Sequence, residues 1–316
     1  MQGPCDLYAS GNTPCVAAYS TVRALSASYT GNLYRVRRAD GTTKDIGVLA
    51  TGTFANAATQ DTFCGTSSCT ISVLYDQSGK GNNLTKAPAG CYIGTASMPD
   101  NESNATAHAL TVSGHKAYAL YMVPQDGYRN DVTKGMPTGS MPQGVYEVAD
   151  GTRGGPACCW DFGNASTNNC NGGTGLMNAM FFGTGFWGKG AGSGPWFMGD
   201  FEDGVWSGGT GVSTTTNASL PSQLIPFAMG VLKTDATTYA IRVGNAQSGA
   251  LTTAYNGATP TTLRWAMQGG IVLGIGGDNS NSSFGTFFEG AVTAGRPADA
   301  TDNAVQANVI AAGYGK

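Results

Sequence analysis

Residues 69–83 read CTISVLYDQSGKGNN, an apolar and β-branched run followed by a cluster of Asp, Gln, Ser, Gly and Asn. The start of the run alternates polar and apolar side chains, which predicts a strand, and the glycine-rich cluster predicts the turn after it. The same pairing recurs along the chain and predicts strands at residues 116–123, 144–148, 180–182, 196–201, 226–232, 238–243, 250–255, 270–275 and 286–292. Many short strands with glycine-rich turns favour an all-β fold, a β-sandwich or jelly roll.

Two segments near the ends of the chain predict helices. Residues 14–29 can place their apolar side chains on one helical face, and Pro14 suits the first turn of such a helix. Residues 300–314 have a similar apolar spacing, with Thr301 or Asp302 as the expected N-cap. The prediction is therefore a sandwich with a few short helices.

Composition limits the possible functions. The 316 residues carry 17 Lys and Arg against 20 Asp and Glu, a formal net charge of −3, and no basic cluster. This balance argues against a nucleic-acid partner and against a polybasic membrane-surface protein. No apolar run approaches the ~18 residues of a membrane span. No linker-like stretch or fixed-period repeat divides the chain, so we expect one domain over residues 1–316.

The chain has eight cysteines, at positions 5, 15, 64, 69, 91, 158, 159 and 170. Zinc-ligand spacings are absent, so an even number of cysteines favours disulfides, although spacing alone leaves their connectivity open. Six Asn-x-Ser/Thr triplets agree with a secreted glycoprotein. The start has no signal-peptide character, and the expectation is that a leader was removed and Met1 added.

Excluding the other catalytic groups leaves carboxyl groups as the candidates for the chemistry. His108 and His115 have no GxSxG motif nearby, so they are expected to be surface or strand-edge residues rather than catalytic bases. The glycines of residues 274–277 lead into Asp-Asn-Ser-Asn rather than a helix, which excludes a nucleotide-binding fingerprint. Cysteines that are oxidised in pairs supply no thiolate nucleophile.

The chain has only four glutamates. Glu102 and Glu147 are expected to be solvated, and Glu289, within a strand-like run, is expected to be structural. Strand alternation predicts that Asp200 and Glu202 project from the same face, either as a solvent-exposed strand end or as a sugar-binding face with a catalytic carboxylate.

Asp278 is the second candidate. It ends a wholly apolar run beside glycines that permit close approach of a ligand, and burial there would raise its pKa, as a general acid requires. The alternative is an Asx-turn that only ends the strand. Two carboxyl groups are the requirement for glycoside hydrolysis. Aromatic platforms for sugar stacking could come from four tryptophans, most of them expected in the core: Trp160, Trp187, Trp196 and Trp206.

Four long motifs resemble glycoside hydrolase family 54, the α-L-arabinofuranosidases. They are GPCDLYASGNTPCVAA at residues 3–18, YDQSGKGN at 75–82, ACCWDFGN at 157–164 and LGIGGDNSN at 273–281. The resemblance covers nearly the whole chain. It implies a concanavalin-like β-sandwich as the catalytic domain.

The resemblance also implies roles for individual residues. The glutamate of the Trp-x-Met-x-Asp-x-Glu strand, here Glu202, is the nucleophile, and the aspartate of Gly-Gly-Asp-Asn, here Asp278, is the acid/base. A vicinal disulfide Cys158–Cys159 forms the floor of the arabinose pocket, where spacing alone would favour each cysteine bridging elsewhere. The sugar contacts that it implies come from Trp187, Asp200, Asp203, Gly277 and Asn279, and its other bridges are Cys5–Cys15 and Cys64–Cys69.

This chain departs from the family pattern in three ways. Asp203 replaces the Asn that commonly follows the nucleophile, which adds a negative charge beside Glu202. Cys91 and Cys170 have no family counterpart, so they are either an additional bridge or two free thiols. Relatives often carry a carboxy-terminal arabinose-binding β-trefoil, and here the expectation is a catalytic domain without it.

The predicted function is that of a secreted, retaining, exo-acting α-L-arabinofuranosidase. It would release terminal L-arabinofuranose from arabinan or arabinoxylan side chains, with the two carboxyl groups about 5–5.5 Å apart. Two-carboxylate chemistry requires no metal and no organic cofactor, and the expected state is a monomer. The alternatives are a non-catalytic, lectin-like sandwich and a furanosidase or xylosidase of different sugar preference.

Overall fold

The computed structural model describes residues 2–91, 94–170, 173–185 and 187–316. Its strands, in chain order, are β1 Cys15–Ser20, β2 Asn32–Arg38, β3 Thr43–Gly47, β4 Cys69–Leu74, β5 Leu84–Lys86, β6 Ala109–Val112, β7 His115–Tyr118, β8 Leu120–Met122, β9 Tyr128–Asn130, β10 Gln143–Ala149, β11 Asp161–Ala165, β12 Asn178–Gly183, β13 Lys189–Ala191, β14 Trp196–Asp200, β15 Val205–Trp206, β16 Thr216–Pro221, β17 Ala228–Thr234, β18 Thr238–Asn245, β19 Ser248–Ala258, β20 Gly270–Leu273 and β21 Gly285–Ala294. Each strand predicted from the sequence overlaps one of these, and the predicted strand 116–123 is divided between β7 and β8.

Helices are few and short, as expected: α1 Pro4–Ser10, α2 Ala57–Cys64, α3 Asp299–Ala312 and a 3-10 turn at Gly94–Ser97. The C-terminal helix is confirmed, but its predicted N-cap is wrong, because the helix begins at Asp299 after Ala298. Asp302 lies inside the helix instead. Its carboxylate is buried and accepts from Lys233 Nζ at 2.6 Å.

The helix predicted over residues 14–29 is wrong. Residues 15–20 form β1, which pairs with β21 inside a sheet. All six residues of β1 are buried, so the run is apolar on both faces and has no period of two that would distinguish it from a helix. Tertiary packing therefore decides the conformation of this segment.

Most strands belong to two large sheets. The first sheet has the order β1-β21-β10-β17-β18-β19, with β8 also paired to β21. The second has the order β15-β14-β12-β11-β20-β9-β5-β4-β2-β3. The pairings within both sheets are antiparallel. Two large antiparallel sheets confirm the β-sandwich prediction.

The main core lies between the two sheets. Leu232 and Ile241 from the first sheet join Phe162, Phe182 and Phe197 from the second in one buried cluster. Neighbouring rings such as Phe182 and Phe197, with centroids 4.4 Å apart, fill the space between the sheets. Aromatic burial of this kind dominates the stability of a sandwich core.

Glu147 corrects a prediction. The sequence predicts a solvated side chain, but Glu147 is 0% exposed in the middle of β10. Val145 and Ala149, two positions away on either side, belong to the core between the sheets. Alternation therefore directs the Glu147 side chain toward that core, and burial raises its pKa well above the usual range of a glutamate.

A second cluster covers the outer face of the first sheet. Tyr8 of α1 and Val305 and Val309 of α3 pack with Tyr146 and Val148 of β10. Glu289 contributes to this side of the molecule through a buried ion pair with Arg23 at 2.5 Å. The predicted structural role of Glu289 is therefore confirmed.

Four disulfides tie the loops to this frame, and no described cysteine is free. Cys5–Cys15 joins α1 to β1, and Cys64–Cys69 joins α2 to β4, as the resemblance implied. Cys158–Cys159 is a vicinal disulfide. Cys91 and Cys170, which the sequence left unassigned, form the fourth bridge.

Candidate active site

One row of residues across the second sheet positions the candidate site. Asp200 of β14 pairs with Ala179, Ala179 with Gly163, Gly163 with Val272, and Val272 with Arg129 of β9. Directly paired residues project to the same side of a sheet. Met177 packs with Ala179 and Val272 of this row, and Asp200 lies toward one end of it and Arg129 toward the other.

A pocket of about 280 Å³ lies on this side of the sheet. Its lining residues are Cys158, Cys159, Met177, Trp187, Asp200, Glu202, Asp203, Gly276, Gly277, Asp278 and Ser280. Most of the residues that the sequence selected therefore come together. Glu202 and Asp278 in particular, 76 positions apart in the chain, line the same hollow.

A turn, rather than strand alternation, brings Glu202 beside Asp200. β14 ends at Asp200, and both Glu202 and Asp203 have left-handed backbones, with φ of 63° and 55°. Asp200 Oδ1 accepts the Glu202 backbone N–H at 2.9 Å, which stabilises the turn. The prediction that Asp200 and Glu202 follow one strand face is wrong, although both line the pocket. Left-handed conformations of non-glycine residues often occur at functional sites.

Gly276 and Gly277 separate the two candidate catalytic carboxyl groups. A Cβ atom on Gly277 would lie 2.5 Å from Glu202 Oε2, and one on Gly276 would lie 3.2 Å from Asp278 Oδ1. The Gly-Gly peptide is therefore in contact distance of both acids. A side chain at Gly277 would have to displace the carboxyl of Glu202.

The two acids differ in their surroundings. Glu202 is 5% exposed, whereas Asp278 is half-buried. Burial, with the charges of Asp200, Asp278 and Asp203, raises the pKa of Glu202 to about 9, and the Arg129 guanidinium opposes that rise. The sequence predicted strong burial for Asp278, but Glu202 is the more strongly buried of the two. Asp278 Oδ1 accepts the Ser280 N–H at 2.7 Å, so the Asx-turn alternative also describes this residue.

The vicinal disulfide forms one wall of the pocket. The peptide bond between Cys158 and Cys159 is cis, and both residues line the hollow. Cys159 Sγ lies 3.9 Å from Asp200 Oδ2. Backbone hydrogen bonds join the pair to the loop of Asp278, from Cys159 N–H to the Ser280 carbonyl and from Ser282 N–H to the Cys158 carbonyl. The disulfide thus presents sulfur to the pocket and holds the Asp278 loop.

Asn279 is not a pocket residue, which corrects the expectation of a sugar contact. It is 0% exposed, and its amide nitrogen donates to the carbonyls of Ala96, at 3.1 Å, and Met98, at 3.3 Å. Asn279 therefore fastens the Asp278 loop to the segment around Gly94–Ser97. Its left-handed φ of 70° is the reason that its side chain turns away from Asp278.

Among the tryptophans considered as sugar platforms, Trp187 lines the pocket and is half-buried. Trp160, Trp196 and Trp206 are buried in the main core, as expected for most of the set. The two histidines lie elsewhere: His115 stacks on Phe54, with centroids 4.8 Å apart, and neither histidine lines the pocket.

Sequence reasoning missed three residues at the site. Arg129 has a side chain that is 0% exposed, and its Nη1 donates to the Gly277 carbonyl at 3.0 Å. Met177 Sδ lies 3.2 Å from Gly277 N. Asp161 has a buried carboxyl close to Asp200. The ACCWDFGN motif contains Asp161. No sequence pattern predicts Arg129 as a site residue, because its strand, β9, is only three residues long.

The described residues contain one group of side chains with metal-ligand spacing, Cys159, Asp161 and Asp200. Because the sulfur of Cys159 is bonded to Cys158, it offers no thiolate to a metal. Within the described ranges, no helix is both long enough and apolar enough to cross a membrane.

Comparisons with known proteins identify relatives of this chain. The α-L-arabinofuranosidase B of Aspergillus oryzae is 49% identical over 99% of this chain and 62% of its own length. An "Arabinofuranosidase/B-xylosidase" of Trichoderma koningii is 48% identical over 99% of this chain and 63% of its own length.

A solved structure, "Crystal structure of arabinofuranosidase complexed with arabinofuranosyl-alpha-1,2-xylobiose", superposes with a TM-score of 0.95 at 45% identity. The superposition covers 99% of this chain and 66% of that one. The chain therefore spans less than two thirds of the length of these relatives. Residues 4–315 match the sequence profile described as "Alpha-L-arabinofuranosidase B, catalytic". The chain belongs to this family, the catalytic region of α-L-arabinofuranosidase B.

Proposed function

We propose that the chain is the catalytic unit of a retaining, exo-acting α-L-arabinofuranosidase that releases terminal L-arabinofuranose from hemicellulose side chains. One observation carries the proposal: Glu202 and Asp278 line one small pocket on either side of Gly276 and Gly277. Two carboxyl groups flanking a sugar-sized hollow are the machinery of glycoside hydrolysis. Family membership and the name of the A. oryzae relative support the choice of sugar.

In the proposed mechanism Glu202 attacks the anomeric carbon while Asp278 protonates the departing glycosidic oxygen. The bond to the leaving group breaks as a covalent arabinosyl ester forms on Glu202. Asp278 then removes a proton from a water molecule. That water attacks the ester from the side that the leaving group has left, and Glu202 is released as a carboxylate. The reactive form therefore has Glu202 ionised and the proton on Asp278.

The surroundings of Glu202 determine its reactivity as the proposed nucleophile. The burial that raises the pKa of Glu202 also desolvates its ionised form, and a desolvated carboxylate is a stronger nucleophile than a hydrated one. Arg129 favours the ionised form from beneath the Gly277 carbonyl. Asp278, half-buried and nearer to solvent, is the better placed of the two to exchange protons with water.

The size of the pocket supports exo-action on a single residue. Its volume of about 280 Å³ is below the usual range for ligand sites, roughly 300–1,000 Å³. Cys158–Cys159 and Trp187 offer apolar surface to one side of a furanose ring, and Asp200 and Asp203 offer acceptors to its hydroxyls. Arabinan and arabinoxylan side chains present such terminal rings, and the related structure with arabinofuranosyl-xylobiose supports the second.

Four disulfides support the proposal that the protein is secreted and works outside the cell. Action as a monomer stays a prediction. A lectin-like role would use the same pocket without turnover. The name of the T. koningii relative also includes a xylosidase activity. Activity on β-xylosides is therefore the alternative to assay beside activity on arabinofuranosides.

Hydrolysis of p-nitrophenyl α-L-arabinofuranoside tests the proposal, with p-nitrophenyl β-D-xyloside as the competing substrate. The expected result is release of nitrophenol from the arabinofuranoside, with the α-anomer of arabinose as the first product seen by NMR. Glu202→Gln should abolish turnover but still bind arabinose, whereas Glu102→Gln, far from the pocket, should not change turnover. No hydrolysis by the native protein, with arabinose still bound, would indicate a lectin.

A further inference from the structure

Asp161 is a buried carboxyl that the mechanism does not yet use. It is the first residue of β11, two positions after Cys159, and it is 0% exposed. Neither of its oxygens accepts a hydrogen bond from a donor among the described residues. One of them lies within 4.8 Å of both a carboxylate oxygen of Asp200 and the sulfur of Cys159.

The charges that act most strongly on Asp161 are negative. They come from Asp200, Glu202 and Asp278 at the pocket and from Glu147 in the main core. A buried carboxylate without a cation or donor is costly, so such a group normally keeps its proton. Burial accordingly raises the pKa of Asp161 well above the usual range of an aspartate.

A protonated Asp161 has an obvious acceptor. Asp200 lies within hydrogen-bonding reach of Asp161, and its Oδ1 already accepts the Glu202 N–H at 2.9 Å. An O–H from Asp161, which is not among the residues lining the pocket, would hold the carboxylate of Asp200. Charge-assisted bonds of this kind are short and strong, and they fix the orientation of the acceptor.

We propose that Asp161 is a positioning residue that remains protonated and donates its O–H to Asp200, which keeps Asp200 ionised and oriented to accept a hydroxyl of the sugar. The proposal rests on the function proposed above, since it assumes that a sugar occupies the pocket. It also reduces the number of negative charges beside Glu202 by one. Asp161 itself touches neither the substrate nor the reacting atoms.

The side-chain amide of asparagine separates this role from simple packing. Asp161→Asn keeps a donor toward Asp200 and cannot ionise, so kcat and KM for the nitrophenyl arabinofuranoside should stay within about threefold of the wild type. Asp161→Ala removes the donor, and loss of a hydrogen bond to a charged group should raise KM roughly 10- to 100-fold. Equal losses in both variants, or none in Asp161→Ala, would overturn the proposal.

Infrared spectroscopy tests the proton directly and without turnover. At neutral pH, one carbonyl band of a buried protonated carboxyl should disappear in Asp161→Asn. Glu147→Gln is the matched control, since it should remove a different band and leave kcat/KM unchanged. If the wild type fails to hydrolyse the arabinofuranoside while the Asp161 band is present, the proposed function fails but the protonation stands. A missing Asp161 band in an active wild type overturns this inference alone.

Discussion

Gly277 lies against the carboxyl of Glu202 so closely that a Cβ atom would stand 2.5 Å from its Oε2 and 2.8 Å from Met177 Sδ. The same residue donates its N–H toward Met177 and accepts a hydrogen bond from Arg129 on its carbonyl. One residue therefore sets the distance between the loop of Asp278 and the proposed nucleophile. Changes at this position should affect catalysis more than folding.

Gly277→Ala should abolish most of the activity. The added methyl group must displace either Glu202 or the Asp278 loop, and a misplacement of about 1 Å can cost 100-fold in rate. We expect kcat for the nitrophenyl arabinofuranoside to fall about 100-fold or more. Thermal unfolding followed by circular dichroism should show a much smaller effect, because the atoms that the methyl group meets are the ends of two pocket side chains, Glu202 and Met177.

Gly211→Ala is the matched control for this substitution. Gly211 is exposed, and a Cβ there would meet only Thr215 Oγ1, at 3.7 Å. Its activity should equal that of the wild type. Wild-type turnover in Gly277→Ala would contradict the close approach of Gly277 to Glu202.

Asp278→Asn should leave a protein that forms the glycosyl ester but hydrolyses it slowly. A substrate with a good leaving group needs no acid in the first step, so the loss falls on the second step, where Asp278 serves as base. Azide, which needs no base, should restore turnover and yield arabinosyl azide. Thin-layer chromatography or mass spectrometry of the product checks this outcome. Glu202→Gln should not yield this product when azide is added. Absence of rescue counts against the acid/base role.

The sequence was sufficient to predict the sandwich because strands such as β4 and β20 carry clear apolar runs between turn residues. It was insufficient at β1, where every residue is buried and no period of two exists, and at β9 and β15, which have three and two residues. Short strands receive their conformation from their neighbours in the sheet. A local pattern cannot contain that information.

At the site, the sequence pointed to Glu202 and Asp278 because each follows a strand-like run rich in apolar residues. It missed Asp161 and Arg129 and misjudged Glu147 for one shared physical reason. Charged side chains are expected at the surface, whereas these three are buried by contacts between strands that are distant in sequence. Only the assembled sheet shows that a buried charge faces the pocket or the core.

Arg129→Met should move the acidic limb of the kcat/KM profile to higher pH. The guanidinium lowers the pKa of Glu202, so its removal raises that pKa further and reduces the ionised fraction of the nucleophile at any given pH. Arg129→Lys retains the charge and should shift the limb less. Arg153→Met, which removes another guanidinium bonded to backbone carbonyls outside the pocket lining, should leave the limb in place. An unmoved limb in Arg129→Met would show that Arg129 does not act on Glu202.

Glu147→Leu should stabilise the protein. Both carboxyl oxygens of Glu147 are buried without a partner among the described residues, a cost of about 1–3 kcal/mol. The folded-state pKa is raised, so the folded protein binds more protons and wild-type stability falls as pH rises above the unfolded value of about 4.5. The gain in Glu147→Leu should therefore increase from pH 4 toward pH 8, which denaturant titrations at several pH values will measure.

Glu289→Leu is the matched contrast, because Glu289 is equally buried but bonded to Arg23 and to the hydroxyls of Tyr146 and Tyr314. Removing one partner of a buried ion pair should destabilise the protein by about 3–5 kcal/mol. Opposite effects of the same substitution at these two buried glutamates would show that the bonding partners decide the sign. A destabilised Glu147→Leu would mean that its carboxyl has a partner that the structure does not reveal.

The double variant Cys91→Ser/Cys170→Ser should lose both stability and activity. The bridge spans 79 positions, and the chain-entropy model assigns a loop of that length about 4.5 kcal/mol, or roughly 7 °C in Tm for a chain of this size. It also anchors the pocket, since a Cβ on Gly90 would lie 2.5 Å from the Asp278 carbonyl, and Asn169 bonds to the Pro88 carbonyl. We therefore expect kcat to fall at temperatures where the variant is fully folded.

Cys64→Ser/Cys69→Ser, which opens a bridge of 5 positions outside the pocket lining, should lower Tm by roughly 3 °C and leave kcat unchanged. Equal kcat in both double variants would mean that Cys91–Cys170 stabilises the fold without positioning Asp278.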